Sequence, residues 1–358
     1  MTKHLLVCIS PHGYGHTAQT ASVVNALRRN IPDLRLTLRT TVPHTLLAAR
    51  FDGPFTHLPT VSDFGMKMVS AVQVLTEESA LAYADFHADW DHKVKQEAEQ
   101  LRALAPDMVL ANVPYLPLAG AASAGIRSAA LCSLNWMDIY AHYCGERPEA
   151  GHILDQMHAA YNSAALFLRP QPSMPMPALT NARAIGPIAR VGRNRRDEIN
   201  SILKLAGDET LVLVAPGGIP TRWPMEHWPR LPRVRWIVQS DWHVTHPDAV
   251  ALETLNMPIT DVMRSDVVLL GKPGYGSVAE CVCNDTPMLY LMRHDWPEEP
   301  YLLEWLHQYG RGLPVDNRAV QSGALSAALE ELLAQPANMR VDPSGIQDAA
   351  EHLRNLLM

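Results

Sequence analysis

The sequence of 358 residues lacks a surplus of positive charge. It contains 30 Lys and Arg residues against 37 Asp and Glu residues, which gives a formal net charge of −7 at pH 7. A protein that binds nucleic acid must neutralise phosphates with an excess of cations, so this balance argues against such a partner. Four arginines cluster within residues 190–196, and we interpret them as a solvated linker and helix start.

Cysteine is also scarce, and its pattern predicts no disulfide framework. The five cysteines are odd in number and irregularly spaced, at Cys8, Cys132, Cys144, Cys281 and Cys283. Such usage is typical of reduced thiols in a cytoplasm. Cys281 and Cys283 have no second pair of ligands nearby, so we expect no zinc or other metal site.

Long hydrophobic runs are missing as well. The N-terminus lacks the apolar core and cleavage site of a signal peptide. The most apolar stretch, 115–134, contains Pro117 and Arg127 and is typical of a helix, turn and strand in a globular core. We therefore expect a cytoplasmic protein without a transmembrane segment, and contact with a membrane surface stays open.

What the sequence does contain is enough apolar surface for two cores. Hydrophobic residues make up 47% of the chain, and its length suits two domains rather than one. Strands and helices alternate in each half, which predicts doubly wound parallel sheets. We predict the α/β class, with two Rossmann-like domains that face each other across a cleft.

A proline-rich segment separates the two predicted series of elements. In the first series we predict strands at 5–10, 34–40, 108–111 and 128–131, with helices at 17–29, 72–104 and 116–124. In the second series we predict strands at 210–215, 234–239, 266–270 and 287–291, with helices at 277–284, 301–309 and 322–334. The predicted boundaries are a first domain at 1–168, a linker at 169–192, a second domain at 193–343 and a helix at 344–358 that packs back on the first domain.

A glycine-rich turn follows the predicted strand at 266–270 and opens a helix. Gly274 and Gly276 would let the backbone approach a ligand and adopt positive φ angles. Free amides at the helix start favour a phosphate, and the hydroxyl of Ser277 can add a donor. Glu280 is placed to accept hydrogen bonds from a ribose diol. A turn that is glycine-rich only for packing is the alternative, and the added Ser and Glu favour the nucleotide site.

A second turn, at residues 10–19, follows the first strand at the edge where open sheets bind ligands. It contains His12 and His16, and the pKa of histidine near neutrality suits a general base. We favour His16 as the base, with His12 as the second candidate.

Two other motifs compete for these segments. Gly13, Gly15 and Ala18 match a dinucleotide fingerprint, but the second strand closes on Arg39 rather than on an acid. An NADP site that uses Arg39 is therefore a minor alternative. The sequence Asp-Trp-Asp at 89–91 matches a manganese motif, but its carboxylates would diverge on a helix.

The stretch 266–280 resembles the donor site of GT-B glycosyltransferases, a superfamily that includes plant UDP-sugar transferases and the peptidoglycan N-acetylglucosaminyltransferase. The resemblance implies contacts to the donor diphosphate from Gly217, Gly218, Gly274, Tyr275, Gly276 and Ser277. It also implies that Glu280 holds the ribose. The chain is similar, too, to the transferase-like N-terminal domain of plant L-arabinokinases, which shows related Pro-Gly-Tyr-Gly and Glu-Glu-Pro patterns.

The same resemblance covers the segment that binds the donor sugar and the residue that acts as the general base. Residues 289–302 resemble the segment that grips the donor sugar, which implies that Glu298 and Glu299 accept hydrogen bonds from it. Relatives place a Gly-His in the first turn, which implies that His16 deprotonates the acceptor. Relatives also orient this base with an Asp on a neighbouring strand, and Asn112 occupies that place here.

The predicted function is therefore transfer of a sugar from a nucleotide-diphosphate sugar, with UDP-sugar as the expected donor, to an acceptor hydroxyl that the sequence does not identify. We expect an inverting, metal-independent reaction in which the nucleotide sugar is a substrate and no cofactor takes part. The first domain would bind the acceptor and the second the donor. A nucleotide-sugar epimerase and a non-catalytic nucleotide-sugar-binding protein stay open as alternatives.

Overall fold

A computed structural model describes residues 2–70, 73–217, 222–293, 295–337 and 340–358. The chain divides into two compact units. Unit 1 consists of Met1–Ile188 together with Ser344–Met358, and unit 2 consists of Ala189–Pro343. Each unit is built around its own parallel sheet with helices packed against it.

The sheet of unit 1 has seven parallel strands. They are β1 (His4–Ile9), β2 (Arg35–Arg39), β3 (Thr56–Leu58), β6 (Met108–Asn112), β7 (Arg127–Leu131), β8 (Leu166–Pro170) and β9 (Ala182–Ile185). Their order is β3-β2-β1-β6-β7-β8-β9. The short strands β4 (Met68–Ser70) and β5 (Gln73–Val74) form a separate antiparallel pair. Every residue of β1 and β6 is buried, as expected for central strands of a parallel sheet.

The helices of unit 1 connect these strands. They are α1 (Gly15–Asn30), α2 (His44–Ala48), α3 (Thr76–His87), α4 (Trp90–Leu104), α5 (Leu116–Ala124), α6 (Trp136–Cys144) and α7 (Ala150–Asn162). The predicted helical stretch 72–104 is not one helix: Gln73 and Val74 belong to β5, and two helices follow, because the chain leaves helical geometry at Asp89, where φ is −127°. The motif at 89–91 therefore straddles the start of α4.

Unit 2 repeats the arrangement with six parallel strands. They are β10 (Thr210–Ala215), β11 (Val234–Val238), β12 (Ala249–Ala251), β13 (Val267–Gly271), β14 (Met288–Leu291) and β15 (Gly312–Val315), in the order β12-β11-β10-β13-β14-β15. The helices are α8 (Arg196–Leu203), α9 (Ile259–Arg264), α10 (Tyr275–Asn284), α11 (Glu299–Tyr309), α12 (Asn317–Ser322) and α13 (Ser326–Ala334). Apolar clusters cover both faces of the sheet.

The last helix, α14 (Gly345–Leu357), belongs to unit 1. It packs against α1, and the Arg127 guanidinium donates a 2.6 Å hydrogen bond to the carbonyl of Leu356 near its end. One face of α14 buries Ala349, Ala350 and Leu353. This amphipathic pattern holds the C-terminal segment on the first sheet.

The segment 169–192 differs from the predicted linker. Its first part completes β8, its middle contains the edge strand β9, and the change of unit falls between Ile188 and Ala189. Only one of the four residues of β9 is buried. A partly exposed edge strand among prolines has no apolar period, which explains why the sequence pattern indicated a linker.

A buried ion pair connects β2 to α4. The Arg39 guanidinium donates to both carboxylate oxygens of Glu97, and the two residues are 5% and 6% exposed. This pairing removes Arg39 as a phosphate ligand, so the geometry disfavours the NADP alternative.

Replacing Glu97 with alanine is expected to lower the free energy of unfolding by about 3–5 kcal/mol, because Arg39 is left buried without a counter-charge. Urea denaturation measures this loss. Glu99→Ala, at an exposed position of the same helix, is the matched control and should change stability by less than about 0.5 kcal/mol. Equal losses in the two variants would contradict the buried-pair interpretation.

Candidate functional site

The turn after β1 and the end of β6 meet at the carboxyl edge of the first sheet. The two strands are neighbours, with Ile9 in register with Asn112. Here the strand order changes direction, and such switch points are where open α/β sheets bind ligands. The amide of Ser10 donates to the carbonyl of Asn112 at 2.8 Å, which joins the turn to β6. His16 follows in the first turn of α1.

His16 is held in a defined tautomer. Its Nδ1 lies 2.9 Å from Oδ1 of Asn112, and Nδ2 of Asn112 donates to Oε1 of Gln19 at 2.8 Å. Because Oδ1 of Asn112 can only accept, Nδ1 of His16 carries the proton and Nε2 keeps its lone pair. Burial lowers the pKa of His16, and the hydrogen bond with Asn112 offsets part of that shift. The imidazole is therefore neutral at pH 7 and able to accept a proton through Nε2.

Sequence reasoning missed three residues near the histidines. Trp136, fully buried at the start of α6, packs edge-on against His12 with ring centroids 5.1 Å apart and lies 6.0 Å from the ring of His16. Its indole N–H donates to the buried carboxyl of Asp63. Asp63 lies in a loop without apolar period, and nothing in the sequence pattern singled it out. Cys132 adds a thiol 3.7 Å from Nδ1 of His16.

In unit 2, the glycine-rich turn after β13 leads directly into α10. Gly274 precedes the helix without a side-chain cap, so the first-turn amides have no acceptor from that residue. A Cβ built at Gly274 or Gly276 would meet no atom within 4 Å, so this side of the turn is open to a ligand. The expected positive φ angles are wrong: φ of Gly274 is −87°, and Gly276 is already helical. Ser277 and Glu280 lie in the first two turns of α10 and are half-buried.

Two cationic side chains lie beside this turn, and sequence reasoning named neither. Lys272 is half-buried, and its pKa is lowered to about 8 by burial and by the charge of Arg293. Gly217 makes room for it: φ of Gly217 is +100°, and a Cβ there would lie 2.6 Å from Cε of Lys272. Gly218 lies outside the described residues. A lysine between a buried strand and a glycine-rich turn was the available signal.

Glu298 and Glu299 both have partners within the protein. The carboxylate of Glu299 accepts 2.8 Å and 3.1 Å hydrogen bonds from the backbone amide and Nε of Arg293. Glu298 precedes α11, and the indole N–H of Trp296 donates to it at 3.3 Å. The two glutamates are 5% and 2% exposed. Their contact with a donor sugar stays a prediction, and the structure adds that Glu299 orients Arg293.

The described residues contain neither a metal-binding cluster nor a membrane-spanning helix. No group of three or more His, Cys, Asp or Glu side chains is placed to hold a metal ion in this part of the chain. None of its helices combines the length and apolarity needed to cross a bilayer.

Comparison with solved structures identifies the architecture. The chain superimposes over its full length on the calicheamicin glycosyltransferase CalG4, with a TM-score of 0.62 and 14% identity over 94% of that chain. The UDP complex of UGT89C1 from Arabidopsis thaliana gives a TM-score of 0.58, 15% identity and coverage of 100% and 95%. SnogD from Streptomyces nogalater gives 0.56, 13% identity and coverage of 99% and 100%. The fold is therefore that of GT-B glycosyltransferases, which confirms the predicted fold class.

A more specific similarity comes from the sequence. The chain is 26% identical over 348 residues to L-arabinokinase of Arabidopsis thaliana, a match that covers 92% of this chain. It spans about a third (32%) of the length of that relative. No family profile matches the sequence. The similarity is distant and agrees with the resemblance carried by the Pro-Gly-Tyr-Gly and Glu-Glu-Pro patterns.

Proposed function

We propose that the protein is a glycosyltransferase that takes a sugar from a nucleotide-diphosphate sugar, with UDP-sugar as the donor, and passes it to an acceptor hydroxyl. One observation carries the proposal: at the switch point of the second sheet an open helix start lies beside Lys272 and Arg293. Helix amides and the Lys272 ammonium in one place suit a diphosphate, whereas Arg293 is already paired with Glu299. Glu280, further along α10, would bind the ribose.

In the proposed reaction the acceptor O–H gives its proton to Nε2 of His16. The acceptor oxygen forms a bond with the anomeric carbon as the bond from that carbon to the diphosphate oxygen breaks. The electron pair leaves with the nucleoside diphosphate. The amides of residues 274–277, together with Lys272, would stabilise this developing charge without any contribution from a metal. Attack opposite the leaving group inverts the anomeric centre.

A non-catalytic nucleotide-sugar-binding protein is the second candidate, and Asn112 is the observation that favours it. An amide can fix the tautomer of His16, but it stabilises the imidazolium less than a carboxylate would. Product analysis separates the candidates, since a binding protein leaves the donor intact. An epimerase would convert the donor without an acceptor.

Nucleoside diphosphates are expected to stabilise the protein. A ligand that binds only the folded state at 100 times its Kd adds about 2.7 kcal/mol, so UDP and a matching UDP-sugar should raise Tm by several degrees. A thermal-shift panel of UDP, TDP, GDP and their sugars measures this effect, with uridine and NADPH as controls. If no nucleoside diphosphate or nucleotide sugar in the panel shifts Tm, the donor proposal is wrong.

A further inference from the structure

Asp63 is a buried carboxyl in the loop after β3, and it is 6% exposed. The Trp136 indole donates to its Oδ2. Its Oδ1 is buried and has no hydrogen-bond partner in normal geometry among the described residues. A buried ionisable group with an unmatched oxygen destabilises the folded state, so this residue requires an explanation other than packing.

The titratable groups that interact with Asp63 are uncharged at pH 7. Burial raises the pKa of each of them, and they are Cys8, Tyr83, Tyr115 and Tyr161. No Lys or Arg side chain lies within ion-pair distance of Asp63 in the part of the chain that the structure describes. Burial consequently raises the pKa of Asp63 to about 7, although the hydrogen bond from Trp136 and a contact with the Ser10 hydroxyl that lies outside hydrogen-bond geometry offset part of the shift.

Contacts lead from this carboxyl to both histidines of the site. Trp136, the partner of Asp63, packs against the rings of His12 and His16. Gly65, two residues after Asp63, has a φ of +61°. A Cβ at Gly65 would lie 2.8 Å from Nδ1 of His12 and 3.0 Å from the ring of Trp136. The loop that carries Asp63 therefore packs closely against the rings of His12 and Trp136.

We propose that Asp63 is a positioning residue of the histidine site. Through its hydrogen bond with the Trp136 indole, it holds that ring against His12 and His16. When ionised, the Asp63 carboxylate places a negative charge on the far side of the Trp136 ring from the two histidines, and the neutral Asn112 cannot supply such a charge. This inference rests on the proposed role of His16. Its test uses no nucleotide sugar, so its failure is distinct from failure of the donor proposal.

The first test is the pH dependence of stability. The pKa of Asp63 is higher in the folded protein than the value of about 3.9 in an unfolded chain. Its contribution to stability is therefore present below about pH 4 and is lost as pH rises through about 7. Asp63→Asn is expected to raise Tm at pH 8.5 and to change it little at pH 4.5. A fall in Tm at pH 8.5 would mean that the folded protein stabilises the ionised carboxylate, which contradicts the raised pKa of Asp63.

The second test measures the reactivity of the two histidines. Carbethoxylation of His12 and His16, followed by mass spectrometry, should show a step of about threefold in rate near pH 7, beyond the titration of each imidazole, when Asp63 ionises. Asp63→Asn should abolish the step. Trp136→Phe keeps an aromatic ring, although a smaller one, and removes the N–H donor, so its effect should be non-additive with that of Asp63→Asn.

A measurement on the unmodified chain keeps the inference testable if either variant fails to fold. The indole N–H resonance of Trp136, recognised by its absence in Trp136→Phe or by its contacts to His12, is expected to move between pH 6 and pH 8. A resonance that stays fixed over that range overturns the proposal, as does a histidine profile that is the same with and without Asp63.

Discussion

Replacing His16 with alanine is expected to reduce turnover by about two to four orders of magnitude while the donor still binds. The physical reason is the fixed tautomer: Asn112 directs the proton of the ring to Nδ1, so Nε2 is the atom that can receive the acceptor proton. Steady-state kinetics with the donor identified by thermal shift measures turnover, and calorimetry with UDP measures binding. Retention of more than a tenth of the turnover would remove His16 as the base.

Matched variants make this result specific. His92→Ala, on the exposed side of α4, should leave turnover unchanged. His12→Ala should have a smaller effect than His16→Ala, because His12 contacts Trp136 but has no place in the Asn112–Gln19 hydrogen bonds.

The pH profile provides an independent check on the same residue. Burial lowers the pKa of His16, so the base form should persist from neutral pH down to below 6.5, and activity should fall only in more acid solution. Asn112→Asp places a carboxylate at Nδ1 and is expected to raise the pKa of His16, which moves the acid limb to higher pH. If the acid limb of the pH–activity profile is the same in Asn112→Asp as in the unmodified protein, ionisation of His16 does not determine that limb.

The fold was predictable because apolar periodicity marks buried elements strongly. The helix predicted at 116–124 and the strand predicted at 210–215 have the same bounds in the structure. The strand β9 was not predicted, since a partly exposed edge strand lacks the continuous apolar run of a central parallel strand. Helices α6 and α7 and strand β8 were not predicted either, although each buries core side chains, so local pattern predicted the central strands but missed part of the core as well as its margin.

The candidate site was predictable only where backbone shape leaves a mark in the sequence. The turns at 10–19 and 272–277 carry glycines, and their positions after buried strands indicated ligand sites. Asp63 reaches Trp136 across 73 positions of sequence, and such a contact leaves no local signal. Lys272 is adjacent to the glycine-rich turn in the sequence. Its burial beside Arg293 could not be predicted, because strands β13 and β14 bring the two residues together only in the folded protein.

Replacing Lys272 with methionine is expected to weaken binding of UDP and of inorganic pyrophosphate by about 10- to 100-fold, the effect of losing a charge-assisted hydrogen bond to an anion. Pyrophosphate is the more informative probe, because it presents the diphosphate without base or sugar. Calorimetry measures both affinities. Because the pKa of Lys272 is about 8 in the free protein, affinity should also fall as pH rises above 8 and the ammonium loses its proton.

The same variant should stabilise the free protein, and this opposite effect separates a binding role from a structural one. The pKa of Lys272 in the folded protein lies below its usual value, so the charged form of this side chain opposes folding. The neutral form, present at high pH, does not, and its contribution to stability is lost as pH falls through about 8. Lys272→Met should therefore raise Tm without ligand and reduce the increase caused by UDP. Lys95→Met, at an exposed position of α4, should change neither. A lower Tm together with unchanged affinity in Lys272→Met would mean that this lysine supports the turn rather than a bound anion.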